Sequence, residues 1–77
     1  MTNYIIKRTR TKSPNPKYLN QERYYVGEID LGALGMSVQW GFATDAQLLN
    51  LNSAQGLLQI FKREDKAGNY KFETIVK

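Results

Sequence analysis

Met36-Ser37-Val38-Gln39-Trp40-Gly41-Phe42-Ala43 decides the fold, because it alternates without a break. In an extended chain Met36, Val38, Trp40 and Phe42 fall on one side, and Ser37, Gln39, Gly41 and Ala43 on the other. That is a strand with one apolar face turned inward. Just upstream, Leu31-Gly32-Ala33-Leu34-Gly35 carries two glycines in five residues and reads as a turn. Tyr18–Asp30 before it has a β-prone centre, Arg23-Tyr24-Tyr25-Val26, with Gly27 placed for a bulge. The two strands are predicted to form an antiparallel hairpin.

Downstream, Thr44-Asp45 closes the strand and Ala46-Gln47-Leu48-Leu49 reads as a single helical turn. Ala54, Leu57, Leu58 and Phe61 then recur at helical spacing, and Ile60 widens the stripe. Ser53 or Asn52 supplies the N-cap. Lys62, Arg63 and Lys66 suit the negative end of the helix, and Gly68 stops it. A helix of about 13 residues spans roughly 20 Å, enough to cross a small sheet. Tyr70, Phe72, Thr74 and Val76 alternate with Lys71, Glu73, Ile75 and Lys77, giving a last strand. At the other end, Tyr4–Lys12 mixes Tyr4-Ile5-Ile6, Thr9 and Thr11 with bases. It reads as a first strand, expected at a sheet edge because Lys and Arg commonly guard edges. Ser13-Pro14-Asn15-Pro16 interrupts it as a loop.

The order β-β-β-α-β predicts an α+β fold: a small antiparallel sheet with one helix packed on one face. With 77 residues, the chain is read as a single domain, 1–77. In it, 1–17 form a basic N-terminal strand and loop, and 18–77 form the sheet and helix scaffold. A chain this short buries only about 60–65% of its unfolded surface, so a homodimer is among the expected states.

The sequence holds no histidine and no cysteine. Disulfide frameworks and the usual zinc, copper and haem ligands are therefore excluded, and no metal or cofactor is expected. Ser13, Ser37 and Ser53 lack a histidine to activate them. Gly32-Ala33-Leu34-Gly35 lacks phosphate-loop spacing. Glu28 and Asp30, two apart on one strand, read as a solvated face rather than an acid–base pair. A non-catalytic protein is the expectation. No run approaches 18 apolar residues and no export signal opens the chain, so a cytoplasmic protein without membrane partners is expected.

Charge is unevenly placed. Residues 1–17 hold five Lys or Arg and no acid, whereas residues 18–77 hold six against seven Asp or Glu. A concentrated patch attracts polyanions or an acidic protein face better than the same charge dispersed. The candidate partner-binding residues are Lys7, Arg8, Arg10, Lys12, Lys17, Tyr18, Arg23 and Tyr24, on a segment (residues 4–25) that also holds four of the five tyrosines. Bases beside aromatics suit single-stranded nucleic acid, while Arg and Tyr equally suit a protein interface.

At Trp40-Gly41-Phe42-Ala43-Thr44-Asp45-Ala46 and Leu51-Asn52-Ser53-Ala54-Gln55-Gly56-Leu57-Leu58, the chain resembles small accessory proteins of bacteriophages and prophages. The resemblance covers roughly residues 18–61 and is one of pattern: a strand ending in an aromatic and a Thr-Asp pair, a helical turn, then a capped helix under a β-meander. It implies a cytoplasmic protein of an infected bacterial cell that inhibits or modulates a host or defence protein, such as a CRISPR nuclease. A basic chain does not mimic DNA, so the contact implied is with an acidic protein surface or a nucleoprotein complex. A small basic single-stranded nucleic-acid-binding module is the alternative.

Overall fold

The computed structural model describes residues 2–77 and has the predicted α+β architecture. Four strands, β1 (Tyr4–Arg10), β2 (Glu22–Asp30), β3 (Met36–Gly41) and β4 (Tyr70–Val76), form one antiparallel sheet in the order β3-β2-β1-β4. One helix, α1 (Leu51–Glu64), packs on β4 and β1. The hairpin of β2 and β3 forms as expected, with Tyr25 opposite Trp40 and a register shift between Tyr25 and Gly27. Gly27 has φ +133°, a conformation that side-chain-bearing residues rarely adopt, which is why a glycine stands at the bulge.

The first strand is not at the edge. β1 lies between β2 and β4, so its bases had to be accommodated inside the sheet. On the face away from the helix, Lys7 Nζ is 2.9 Å from Glu22 Oε2 and 3.2 Å from Glu73 Oε1, one partner on each neighbouring strand. On the helix face, arginines stack on aromatic rings, as described below. Both inner strands are also shorter than their sequence suggests. β1 stops at Arg10 and β2 starts at Glu22, because Pro16–Tyr18 coil into one 3-10 turn capped by Asn15 and Asn20 takes φ 63°.

The turn after β3 is displaced relative to expectation. A 3-10 turn forms at Ala43–Asp45, and the segment Ala46–Leu49 runs extended rather than helical. The reason is backbone satisfaction. β1 and β2 pair only from Lys7–Thr9 to Glu22–Tyr24 and then diverge, leaving carbonyl and amide groups to be met. Gln47 N–H donates to Tyr25 O at 2.8 Å, and Leu49 exchanges both backbone bonds with Tyr4. With Leu49 held extended, α1 begins immediately after it. Its N-cap is accordingly Asn50 and neither Asn52 nor Ser53, with Ser53 N–H donating to Asn50 Oδ1 at 2.8 Å.

The core is thin. Ile6, Tyr25, Phe61 and Phe72 form its centre, with Trp40, Leu57, Leu58 and Tyr70 packed around them. Trp40, Phe61 and Phe72 lie within 5.1–6.0 Å of one another, centroid to centroid, tilted or edge-on, an arrangement aromatic rings favour. The alternation along β3 holds, but only Trp40 of its apolar side reaches this core. Met36, Val38 and Phe42 stay on the helix face of the sheet without being covered by α1.

Candidate functional site

Alternation from Ile6 places Arg8 and Arg10 on the helix face of β1, toward the end of the sheet where α1 finishes. Arg23 of β2 pairs directly with Arg8 and therefore shares that face. Three arginines thus gather over one end of the sheet, and aromatic rings separate them. The Arg8 guanidinium lies 4.5 Å from the centroid of Trp40 and 4.3 Å from that of Tyr70. Arg10 is 5.0 Å from Tyr70 and donates through Nη2 to its hydroxyl oxygen at 2.7 Å. Arg23 lies 5.1 Å from Phe42. Stacking of this kind holds a guanidinium plane still while leaving its N–H edge free to meet an acceptor.

Among the described residues, both ion pairs belong to Lys7, and none of these arginines has a carboxylate within 4.0 Å. Asp65, whose charge acts on Arg8, spends its carboxylate on the chain itself: Oδ1 accepts from Asn69 N–H at 3.1 Å and Oδ2 from Tyr70 N–H at 2.9 Å. Arg10 Nε is buried with no acceptor. Burial, above all, lowers the pKa of Arg8, opposed by Tyr70 and reinforced by Arg10 and Arg23. It is a partly desolvated cation placed beside two like charges. The C-terminal end of α1 offsets part of that cost through its partial negative charge.

Arg8 also lines an open groove of about 330 Å³ between α1 and the sheet. Val38, Trp40, Ile60, Phe61 and Phe72 give it apolar walls, and Glu64 and Asp65 also line it.

The sequence-derived candidates fall into three places. Arg8, Arg10 and Arg23 form the stacked cluster. Lys7 and Tyr24, directly paired across β1 and β2, sit on the opposite face, where Glu22 and then Glu73 raise the pKa of Lys7 by hydrogen bonding to it. Lys12, Lys17 and Tyr18 lie in the exposed connection from β1 to β2, with Lys12 Nζ donating to Ala67 O at 3.4 Å. Tyr25, which shares that segment, belongs to the core. Trp40, Phe42 and Tyr70, the rings that carry the arginines, were not among the candidates. Their signal was present: they stand at even positions with Phe72, as Arg8 and Arg10 stand with Ile6.

The two carboxylates read as a solvated strand face have local tasks. Glu28 Oε1 accepts from the Tyr25 hydroxyl at 3.5 Å, and Asp30 Oδ1 accepts from Gly32 N–H at 2.8 Å in the turn. No helix of the described residues is long and apolar enough to cross a membrane. Compared with known proteins, the chain matches no family, and no curated protein or solved structure is significantly similar to it.

Proposed function

We propose that this chain is a non-catalytic binding domain that holds an acidic surface of a bacterial protein through Arg8, Arg10 and Arg23. The phage-accessory pattern in its sequence gives the context: a protein that inhibits or modulates a host or defence protein, a nuclease among them, by direct contact. The observation that carries the reading is the arginine cluster, stacked on Trp40, Tyr70 and Phe42 and, among the described residues, with no carboxylate within ion-pair distance. Pre-stacked guanidiniums lose little side-chain freedom when they meet carboxylates, and their geometry favours two-pronged contact. Arg, Trp and Tyr are also the residues that dominate protein interfaces.

Capture from nuclease-treated bacterial lysate tests the reading. The expected result is a discrete protein retained by the wild type and lost when Arg8, Arg10 and Arg23 are changed together to Ala. Retention that survives those changes would contradict it.

A second reading, single-stranded nucleic acid, draws on one specific feature. Phe42 is 65% exposed at the end of β3 beside Arg23, a ring on which a base could stack. It predicts binding of a labelled oligothymidylate that weakens steeply with salt and is reduced in Phe42→Ala. Against it, the faces of Trp40 and Tyr70 are taken by arginines, which leaves little stacking surface. Failure of the oligonucleotide to bind at low ionic strength removes this second reading.

A further inference from the structure

We propose that β3 is the seam of a homodimer, in which a second copy pairs its own β3 antiparallel against it and continues the sheet. The inference shares Trp40 and Phe42 with the arginine site but rests on a different feature, the unpaired edge of β3. β3 is an edge strand with no charged residue and no proline, so its outer row of N–H and C=O groups is unguarded. The bulge that could blunt it lies on β2. The other edge, β4, carries Lys71 and Glu73 and lies under the helix. Of the two edges, β3 is the one that carries no charge and whose apolar side chains Met36 and Val38 stay exposed.

The side chains are self-complementary as well. Along the helix face, Met36 is 59% exposed, Val38 37% and Phe42 65%, and Leu34, just before the strand, is 85% exposed. A two-fold axis at Val38 sets Val38 against Val38, Met36 against Trp40 and Leu34 toward Phe42 of the second copy. Each exposed apolar side chain then has an apolar partner, as an isologous interface requires. The opposite face brings together Ser37, Gln39 and Gly41, which are small or uncharged.

The size of the molecule agrees with an uncovered surface. Its accessible area is 5477 Å², whereas a compact monomer of this mass exposes about 4,800 Å². The excess is comparable to the roughly 800 Å² that each partner gives up in an ordinary specific interface. An axis perpendicular to the sheet keeps both helices on one face. The dimer therefore presents two arginine clusters side by side, and an acidic partner with two sites gains from both.

Light scattering coupled to size exclusion, from micromolar to millimolar concentration, tests the seam. The wild type is expected to reach twice the 8.9 kDa of one chain. Val38→Lys, which places two ammonium groups at the axis, is expected to remain at one chain mass with an unchanged circular dichroism spectrum. Met36→Lys, at a more exposed position, should do the same if Val38→Lys disturbs folding. Hydrogen exchange of the wild type is expected to protect β3 amides increasingly as concentration rises. A wild type that stays monomeric throughout, an open series of larger assemblies, or a dimer that both lysines leave intact would overturn the proposal.

Discussion

Arg8 is held between two aromatic faces, so its removal has two separable effects. Loss of the stacked guanidinium and its aliphatic stem is expected to cost about 1 kcal/mol of stability in Arg8→Ala, read from urea unfolding. Binding of an acidic partner should fall at least about tenfold, which corresponds to roughly 1.4 kcal/mol. Arg8→Lys separates the two, because an ammonium keeps the charge but not the planar fork. It should weaken binding while retaining much of the salt dependence. Equal binding by wild type and Arg8→Ala would show that this residue serves packing alone.

Tyr25 and Lys7 set the alkaline limit. Burial, then Glu28, raises the Tyr25 pKa above its ordinary 10.0, and Glu22 and Glu73 raise that of Lys7 above 10.5. Both groups hold their protons more tightly in the folded chain than in the unfolded one. Their stabilising effect is therefore complete below about pH 10 and is lost as pH rises through the raised values. Thermal midpoints are expected to be flat from pH 7 to 9 with respect to these groups and to fall above pH 10. Tyr25→Phe should fall less steeply there than the wild type, and an identical slope would contradict this assignment.

At the scale of elements, α1 carries two positions with opposite consequences. Asn50→Ala removes the side chain that accepts from Ser53 N–H and is expected to cost about 1 kcal/mol. Gly56→Ala should stabilise by up to about 1 kcal/mol, since a methyl group there meets nothing within 4 Å and the helical backbone suits alanine. Denaturation midpoints in the two single variants check both signs. The helix itself was readable from the spacing of Ala54, Leu57, Leu58 and Phe61, and β3 from its alternation. Its N-cap was not, because the choice of Asn50 depends on Leu49 bonding to Tyr4, far away in sequence. The same limit explains β1. A strand with three bases looks like an edge until Glu22 and Glu73 are known to flank Lys7 and rings are known to lie under Arg8 and Arg10. Those neighbours lie 15 to 66 positions away in the chain, and no local pattern brings them together.

Taken as a whole, the molecule is thin and broad, 39 × 34 × 23 Å with a radius of gyration of 12.9 Å, against about 11.5 Å for a compact chain of this length. A single helix cannot cover a four-stranded sheet: α1 packs on β4 and β1, and the arginine cluster lies along the border of the uncovered half, beside the apolar stripe of β3. Function is read from that uncovered half. Binding through the arginines should weaken as ionic strength rises, because all three are partly exposed, but less steeply than contacts made by freely exposed lysines. The most direct measurement is a titration of the nitrogen-labelled protein with a poly-glutamate peptide, followed through the side-chain N–H signals of its arginines and of Trp40. Saturable shifts confined to Arg8, Arg10, Arg23 and Trp40, with Arg63 at the end of α1 unmoved, are the predicted result. Shifts spread over all basic side chains alike, or none at low ionic strength, would contradict a built anion-binding surface.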